Sequence, residues 1–348
     1  MSIVSSCSFA QKKSAVRKFF AADHPYFQYT GRIDFSNKEL PRYWLPGVYV
    51  RARFGGTQCA IVVQDEMLGG SKHNYIQVVI DDTIHYRVKM EGKRDTIEVA
   101  IGLANKPHTI TICKNTETNI GYMEFAGIIA EKLLPPPSKP KRRIEFIGNS
   151  ITCGTGSDLS RIPCGKGVWE DQHNAYLSYG PTTARNLKAQ WQLAAYSGIG
   201  LVNSCCNIPF AMPQVYDKVM PAKDSIQWNF KNYVADVVTI CLGQNDGAQD
   251  SATFCNAYVR FVQKIRSYYP EARIVLLNSP MADQNLTAVL KDFITSVVAR
   301  LNKEGDKSVH KYFFSKSYNS GCDGHPDMQE HKQIAKELTT YLKSLMKW

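Results

Sequence analysis

"LLPPPSKPKRRIEFIGNS", residues 133–150, separates two hydrophobic grammars. Its prolines cannot enter a sheet centre or a helix interior, so residues 133–143 read as a semi-rigid Pro/basic linker. Upstream, apolar residues alternate. In "VYVRARF" (48–54) Val48, Val50, Ala52 and Phe54 share one face, while Tyr49, Arg51 and Arg53 share the other. "YIQVVID", "IHYRVKM", "TIEVAIG" and "HTITICK" continue the pattern with short turns between. Such a run predicts an antiparallel β-sandwich over residues 26–132.

Downstream, "RIEFIG", "LAAYSG", "DVVTICLG" and "RIVLLNS" are buried-strand runs, each followed after a loop by a helical segment. Alternating strand and helix implies an α/β domain, here residues 144–348, with a mostly parallel sheet between helices. The last helix is the clearest. Ile334, Ala335, Leu338, Tyr341, Leu342 and Leu345 recur at three and four residues, and Asp327 with Glu330 forms a capping-box pattern at its start.

Composition limits the function classes. The 348 residues are 44% hydrophobic and 21% charged, which excludes a disordered chain, and no apolar stretch is long enough to span a bilayer as a helix. The net charge of +11 raises the question of nucleic acid. Its lysines and arginines are scattered, however, and no finger, zipper or RNA-binding pattern appears, so no nucleic-acid partner is expected. "SIVSSCSFAQKK" (2–13) reads as the tail of a secretory signal, with Ser8-Phe9-Ala10 as a small-x-small cleavage site. Residues 1–25 are therefore expected to be signal-derived or flexible, and the protein exported to a periplasmic or extracellular space. Ten cysteines fit no zinc framework. One or two disulfides suit an exported protein, but spacing does not give their connectivity.

Open α/β sheets bind ligands beyond the carboxyl ends of their strands, which directs attention to four loops. "GNSITCGTG" (148–156) supplies Ser150 after a glycine turn, and "AYSGIGLVNS" (195–204) supplies Gly198 and Gly200. "CLGQNDG" (241–247) supplies Asn245 and Asp246, and "GCDGHPDMQEH" (321–331) supplies Asp323 and His325. Singly these are a helix cap, turn glycines, a turn and a structural histidine. Together they hold a hydroxyl, an imidazole, a carboxylate, an amide and glycine N–H groups, the components of acyl transfer. Neither a two-His helix motif nor a carboxylate cluster is present, so no metal or other cofactor is expected.

"FIGNSITCG", "SGIG", "GQND" and "DGHP" resemble, in order, the four sequence blocks of the SGNH (GDSL-like) hydrolases, with Gly-Asn-Ser where many members have Gly-Asp-Ser. More narrowly, residues 28–348 resemble the family-2 carbohydrate esterases of acetyl xylan esterase type. "YTGRID", "VRARFGGT", "HTITICKNTE" and "NAYLSYGPTTARNL" are similar to segments of those enzymes. The resemblance implies a jelly-roll sandwich preceding a flavodoxin-like, three-layer SGNH domain. It implies Ser150 as nucleophile, His325 as general base, and an oxyanion hole of the Ser150 N–H, the Gly198 N–H and the Asn245 side chain. The common orienting Asp position, three before the His, holds Cys322; Asp323, two before, takes that role within the family-2 branch, where some members rely on a Ser–His dyad. Either Asp323 or a backbone carbonyl could therefore orient His325. Trp169, Tyr176, Tyr179 and Asp246 are the expected substrate contacts, and a monomer is expected. The implied reaction removes O-acetyl groups from plant polysaccharides or oligosaccharides such as xylan and glucomannan. The competing readings are a carbohydrate-binding protein with an idle cleft and a general short-chain lipolytic esterase.

Overall fold

A computed structural model describes residues 16–221, 226–247 and 249–348. The proposed cleavage site at Ser8-Phe9-Ala10 lies outside the described residues.

Among the described residues the first half contains nine antiparallel strands: β1 (Lys18–Ala21), β2 (Gln28–Thr30), β3 (Arg42–Tyr43), β4 (Tyr49–Asp65), β5 (Tyr75–Ile80), β6 (Ile84–Lys89), β7 (Arg94–Ala100), β8 (Lys106–Lys114) and β9 (Met123–Leu134). β4 organises them. Its first half pairs with β8 from Tyr49 to Gly56, its second half pairs with β7 from Cys59 onward, and its register against β9 shifts between Gly55 and Cys59. An irregularity of this kind bends a strand from one layer into the next, so one strand serves both faces of the sandwich. Gly56 sits at that bend with φ of 112°, and a Cβ there would fall 2.4 Å from the Glu131 side chain, so glycine is required. The alternating residues Val48, Val50, Ala52 and Phe54 all face the core, as their period predicts.

One boundary needs correction. Residues 18–21 do not belong to a flexible leader, because Lys18–Ala21 pairs with Ala130–Gly127 of β9. The sandwich therefore begins before residue 26.

In the second half, β10 (Arg142–Gly148), β11 (Ala189–Ala195), β12 (Val237–Cys241), β13 (Arg273–Leu277) and β14 (Val309–Tyr312) form a parallel sheet in the order β11-β10-β12-β13-β14. This is the flavodoxin-like order, with its switch point at the carboxyl end of β10. The helices are α1 (Ser150–Cys153), α2 (Tyr179–Asn186), α3 (Met212–Val215), α4 (Ser251–Tyr268), α5 (Gln284–Lys303) and α6 (Met328–Met346). Asp327 and Glu330 close the capping box of α6 reciprocally. Among the described residues no helix is long and apolar enough to cross a membrane.

The two halves share a buried interface. Arg32 reaches from the sandwich into the α/β domain, where its guanidinium lies 2.9 Å from Glu145 in the middle of β10, with both side chains at or below 1% exposure. Tyr216 Oη and Gln192 Nε2 each donate to Glu145 at 2.7 Å, and Arg32 donates to the carbonyls of Tyr216 and Lys218. The linker is pinned too: Gln190 Nε2 donates to the Pro140 carbonyl at 2.7 Å, and Lys139 Nζ to Tyr29 O at 2.5 Å. Removing one partner of a fully buried ion pair strands the other charge without water. Arg32→Ala should therefore destabilise the protein by about 3–5 kcal/mol. Denaturant unfolding of both halves will show a lower midpoint if the pair ties them together.

Candidate active site

Gly148 ends β10 and Asn149 caps the short α1, its Oδ1 accepting the Ile151 N–H at 3.2 Å. Asn and Asp cap helices equally well, so Gly-Asn-Ser preserves the turn that Gly-Asp-Ser would make. Ser150 becomes the first helical residue, and as such its N–H has no intrahelical partner.

His325 lies just before α6, and its Nε2 is 2.8 Å from Ser150 Oγ. The other ring nitrogen, Nδ1, is 3.1 Å from the carbonyl oxygen of Cys322. A carbonyl can only accept, so Nδ1 carries the proton and Nε2 presents a lone pair to the serine hydroxyl. Burial lowers the imidazole pKa below its ordinary value against the raising effect of the Cys322 carbonyl and the nearby Asp323 charge. The ring is thus a neutral base at neutral pH.

The Cys322 carbonyl is held in three ways. A disulfide joins Cys322 to Cys164, the Cys322 N–H donates to Gly156 O at 2.9 Å, and the Met328 N–H donates to Ser157 O at 3.0 Å. The histidine loop is therefore stitched to the loop that follows the nucleophile. Asp323 is exposed, has φ of 52°, and its carboxylate makes no hydrogen bond to the imidazole. Of the two orienting groups left open by the sequence, the backbone carbonyl is the one in contact.

Facing Ser150, Gly198 adopts φ of 81°, and a Cβ on it would lie 2.8 Å from Ile208 and 3.0 Å from Cys205 Sγ. Its N–H finds no acceptor among the described residues and borders the same cleft of about 430 Å³ as Ser150, Asn245 and His325. Asn245 donates one amide hydrogen to Ile199 O at 2.8 Å, leaving the second available. Ser150, Gly198 and Asn245 thus bring these donors to the rim of the cleft that holds the serine hydroxyl.

Comparison with known proteins identifies the family. Residues 29–137 match the family described as Carbohydrate esterase 2 N-terminal, and residues 146–312 match the GDSL-like Lipase/Acylhydrolase family. The chain is 32% identical over 342 residues to cellulase/esterase CelE of Acetivibrio thermocellus, covering 94% of this chain but only 40% of that protein. It is 28% identical to an acetylxylan esterase / glucomannan deacetylase of Cellvibrio japonicus, covering 99% of this chain and 96% of that one. The solved structure of a family two carbohydrate esterase from Clostridium thermocellum, in complex with cellohexaose, superposes with a TM-score of 0.85 at 30% identity, covering 92% of this chain and 99% of that one. The chain belongs to the family-2 carbohydrate esterases.

Within this esterase fold the expected substrate contacts separate. Trp169 lines the cleft and is 39% exposed, with its indole edge-on to the buried His173 ring at 4.2 Å. Tyr176 and Tyr179 do not reach it. Tyr176 is buried under the Arg185 guanidinium at the domain interface, and Tyr179 has no exposure and shares a hydrogen bond with Thr152. Asp246 also turns inward. Its carboxylate accepts the N–H groups of Leu201, Val202 and Asn203 and so shapes the loop behind Gly198 rather than meeting a ligand.

Sequence reasoning overlooked a contribution from the sandwich. Glu117, 1% exposed at the end of "HTITICKNTE", accepts a hydrogen bond from Thr155 Oγ1, which lies 3.4 Å from Ser197 Oγ, next to Gly198. Burial pushes this carboxyl up to about 7, opposed by Thr155, Ser197 and the buried Lys114 ammonium. The only signal for it was a charged residue closing an otherwise period-two run, which is equally a strand end.

Two outcomes follow. Asp323→Asn, which tolerates the left-handed backbone, should keep kcat within about twofold, whereas loss of an orienting carboxylate costs on the order of ten-thousandfold. Steady-state kinetics decide between them. Glu117→Ala removes the acceptor of a buried hydroxyl, a loss of about 1–3 kcal/mol. It should lower both the melting temperature and kcat, with Glu117→Gln recovering part of each.

Proposed function

We propose that the protein is a serine esterase that removes O-acetyl groups from plant polysaccharides or oligosaccharides of the xylan and glucomannan type. The observation that carries this reading is the 2.8 Å contact between Ser150 Oγ and a His325 whose tautomer is set by the Cys322 carbonyl. A serine hydroxyl is too weakly acidic to ionise alone and needs a base at this distance.

Ser150 Oγ bonds to the acetyl carbonyl carbon as its proton passes to His325 Nε2. The carbonyl electron pair moves onto oxygen, which faces the Ser150 N–H, the Gly198 N–H and the free Asn245 amide hydrogen. Fixed donors stabilise that developing charge without reorganising, and each is worth about 2.7–4 kcal/mol of barrier. Collapse breaks the bond to the sugar oxygen, which takes the proton from Nε2. Water, deprotonated by the same imidazole, then releases acetate and restores the serine. Asp323 adds a nearby negative charge that favours the imidazolium without a carboxylate hydrogen bond to it.

The names of the Cellvibrio japonicus relative support xylan and glucomannan as the substrate class, and the exposed Trp169 supplies an apolar wall for a sugar. Export as a monomer completes the proposal. The test is acetate release from 4-nitrophenyl acetate and from acetylated xylan and glucomannan, with a chelator present. Wild type should be active, and Ser150→Ala should lose at least about a thousandfold in turnover. A mutant as active as wild type would remove the serine mechanism, and glycan binding without hydrolysis by wild type would favour the binding-protein reading.

A further inference from the structure

Cys205 and Cys206 are joined to each other by a disulfide, and both line the catalytic cleft. Cys206 is exposed and Cys205 half-buried. Bonding between neighbours closes a small ring through the intervening peptide, leaving neither side chain free to rotate. The backbone there is unusual as well. Cys206 and the following Asn207 have φ of 62° and 59°, two consecutive non-glycine residues in the left-handed region. Such conformations persist only where the surroundings over-determine them, and they cluster at ligand sites. Here the surroundings are the ring itself, the Cys205 N–H donating to Gly198 O at 2.9 Å, and the Ile208 N–H donating to Cys205 O at 3.1 Å.

We infer that the Cys205–Cys206 ring is a rigid platform for the sugar that carries the ester, and so determines preference for saccharide esters over small ones. This rests on the esterase reading above. Cys205 Sγ lies directly against Gly198, whose N–H is one of the donors proposed for the reacting carbonyl. The alcohol oxygen is bonded to that carbonyl carbon, so a saccharide leaving group starts within reach of whatever borders Gly198. Disulfide sulfurs are soft and polarizable and carry no hydrogen-bonding hydrogen, which suits the apolar C–H face of a pyranose. A wall with no rotatable bond loses no side-chain entropy when ligand arrives, unlike a methionine or leucine in its place.

The test begins with alkylation of the native, unreduced protein followed by peptide mass spectrometry. The peptide containing Cys205 and Cys206 should stay unlabelled until reduced. Cys205→Ser/Cys206→Ser and Cys205→Ala/Cys206→Gly are then assayed; the second accepts the left-handed backbone at 206 without strain and guards against loss of folding. On acetylated xylo- and manno-oligosaccharides, kcat/KM should fall about tenfold, mainly through KM, while 4-nitrophenyl acetate turnover stays within about twofold. Several results overturn the inference: labelling of both thiols in the native protein, unchanged saccharide kinetics, or parallel loss on both substrates, which would mean the ring merely props Gly198. A gain on 4-nitrophenyl butyrate in place of the saccharide loss overturns it too, by making the ring an acyl-side wall. A wild-type protein silent on every ester is distinct from these, since it removes the esterase reading itself.

Discussion

A carboxylate in the centre of a parallel strand is tolerable only if something neutralises it, and Glu145 is neutralised from the other half of the chain. Arg32, Tyr216 and Gln192 take up its oxygens with essentially no water present. Apolar side chains could have filled the same volume, often at no loss of stability. What the ion pair adds is a penalty for any arrangement in which the sandwich is absent or displaced. The sandwich is thereby a fixed part of the catalytic domain's wall rather than a tethered neighbour.

That fixity matters because the cleft is built from both halves. Asn119 lines it from the sandwich, and Glu117 supports Thr155 beneath the loop that carries Gly198. On the other flank, Tyr75 donates to Asp171 at 2.6 Å and Arg87 to the carbonyls of Asp171 and Glu170, holding the short turn that presents Trp169. An oxyanion donor or a sugar wall misplaced by 1 Å forfeits much of its effect, so these contacts are positional in their consequence. Burial raises the Glu117 carboxyl and lowers the Lys114 ammonium. An isolated buried charge would be costly, and the electrostatic attraction between these two groups offsets part of that cost.

Much of this could be read in the chain itself, for identifiable reasons. β12 and β13 are nearly continuous apolar runs and β10 and β11 each end in one, so the rule that ligands lie beyond strand carboxyl ends selects Ser150, Gly198 and Asn245, while His325 was legible from its place just before the last helix. β14 escaped because Val309–Tyr312 is a short edge strand with a single buried residue. β1 escaped because "KFFA" next to a leader-like segment reads as part of that leader. Tyr176, Tyr179 and Asp246 were expected at the cleft, but the two tyrosines are buried away from it and Asp246 turns inward, because short elements and loops give no period that reveals where a side chain points. Glu117 was invisible for a different reason: its partners Thr155 and Ser197 are distant in sequence and belong to the other domain.

The cysteines show the same division between regular structure and loops. Cys59, Cys113, Cys153 and Cys241 are free and buried, and their burial raises each thiol pKa, as expected of small apolar side chains in a core. Both disulfides among the described residues lie instead in irregular segments, one lining the cleft and the other in the loop that leads into His325. A strand is fixed by its ladder and a helix by its buried stripe, whereas a loop has neither and must be fixed by other means. The histidine loop has a particular need. Its orienting group is a main-chain carbonyl, so the direction of the His325 ring depends on the path of the backbone at Cys322, and a carboxylate on a side chain could have adjusted where a carbonyl cannot. Cross-linking Cys322 to Cys164 fixes that path at the residue whose carbonyl is used, and so substitutes covalent geometry for the missing acid.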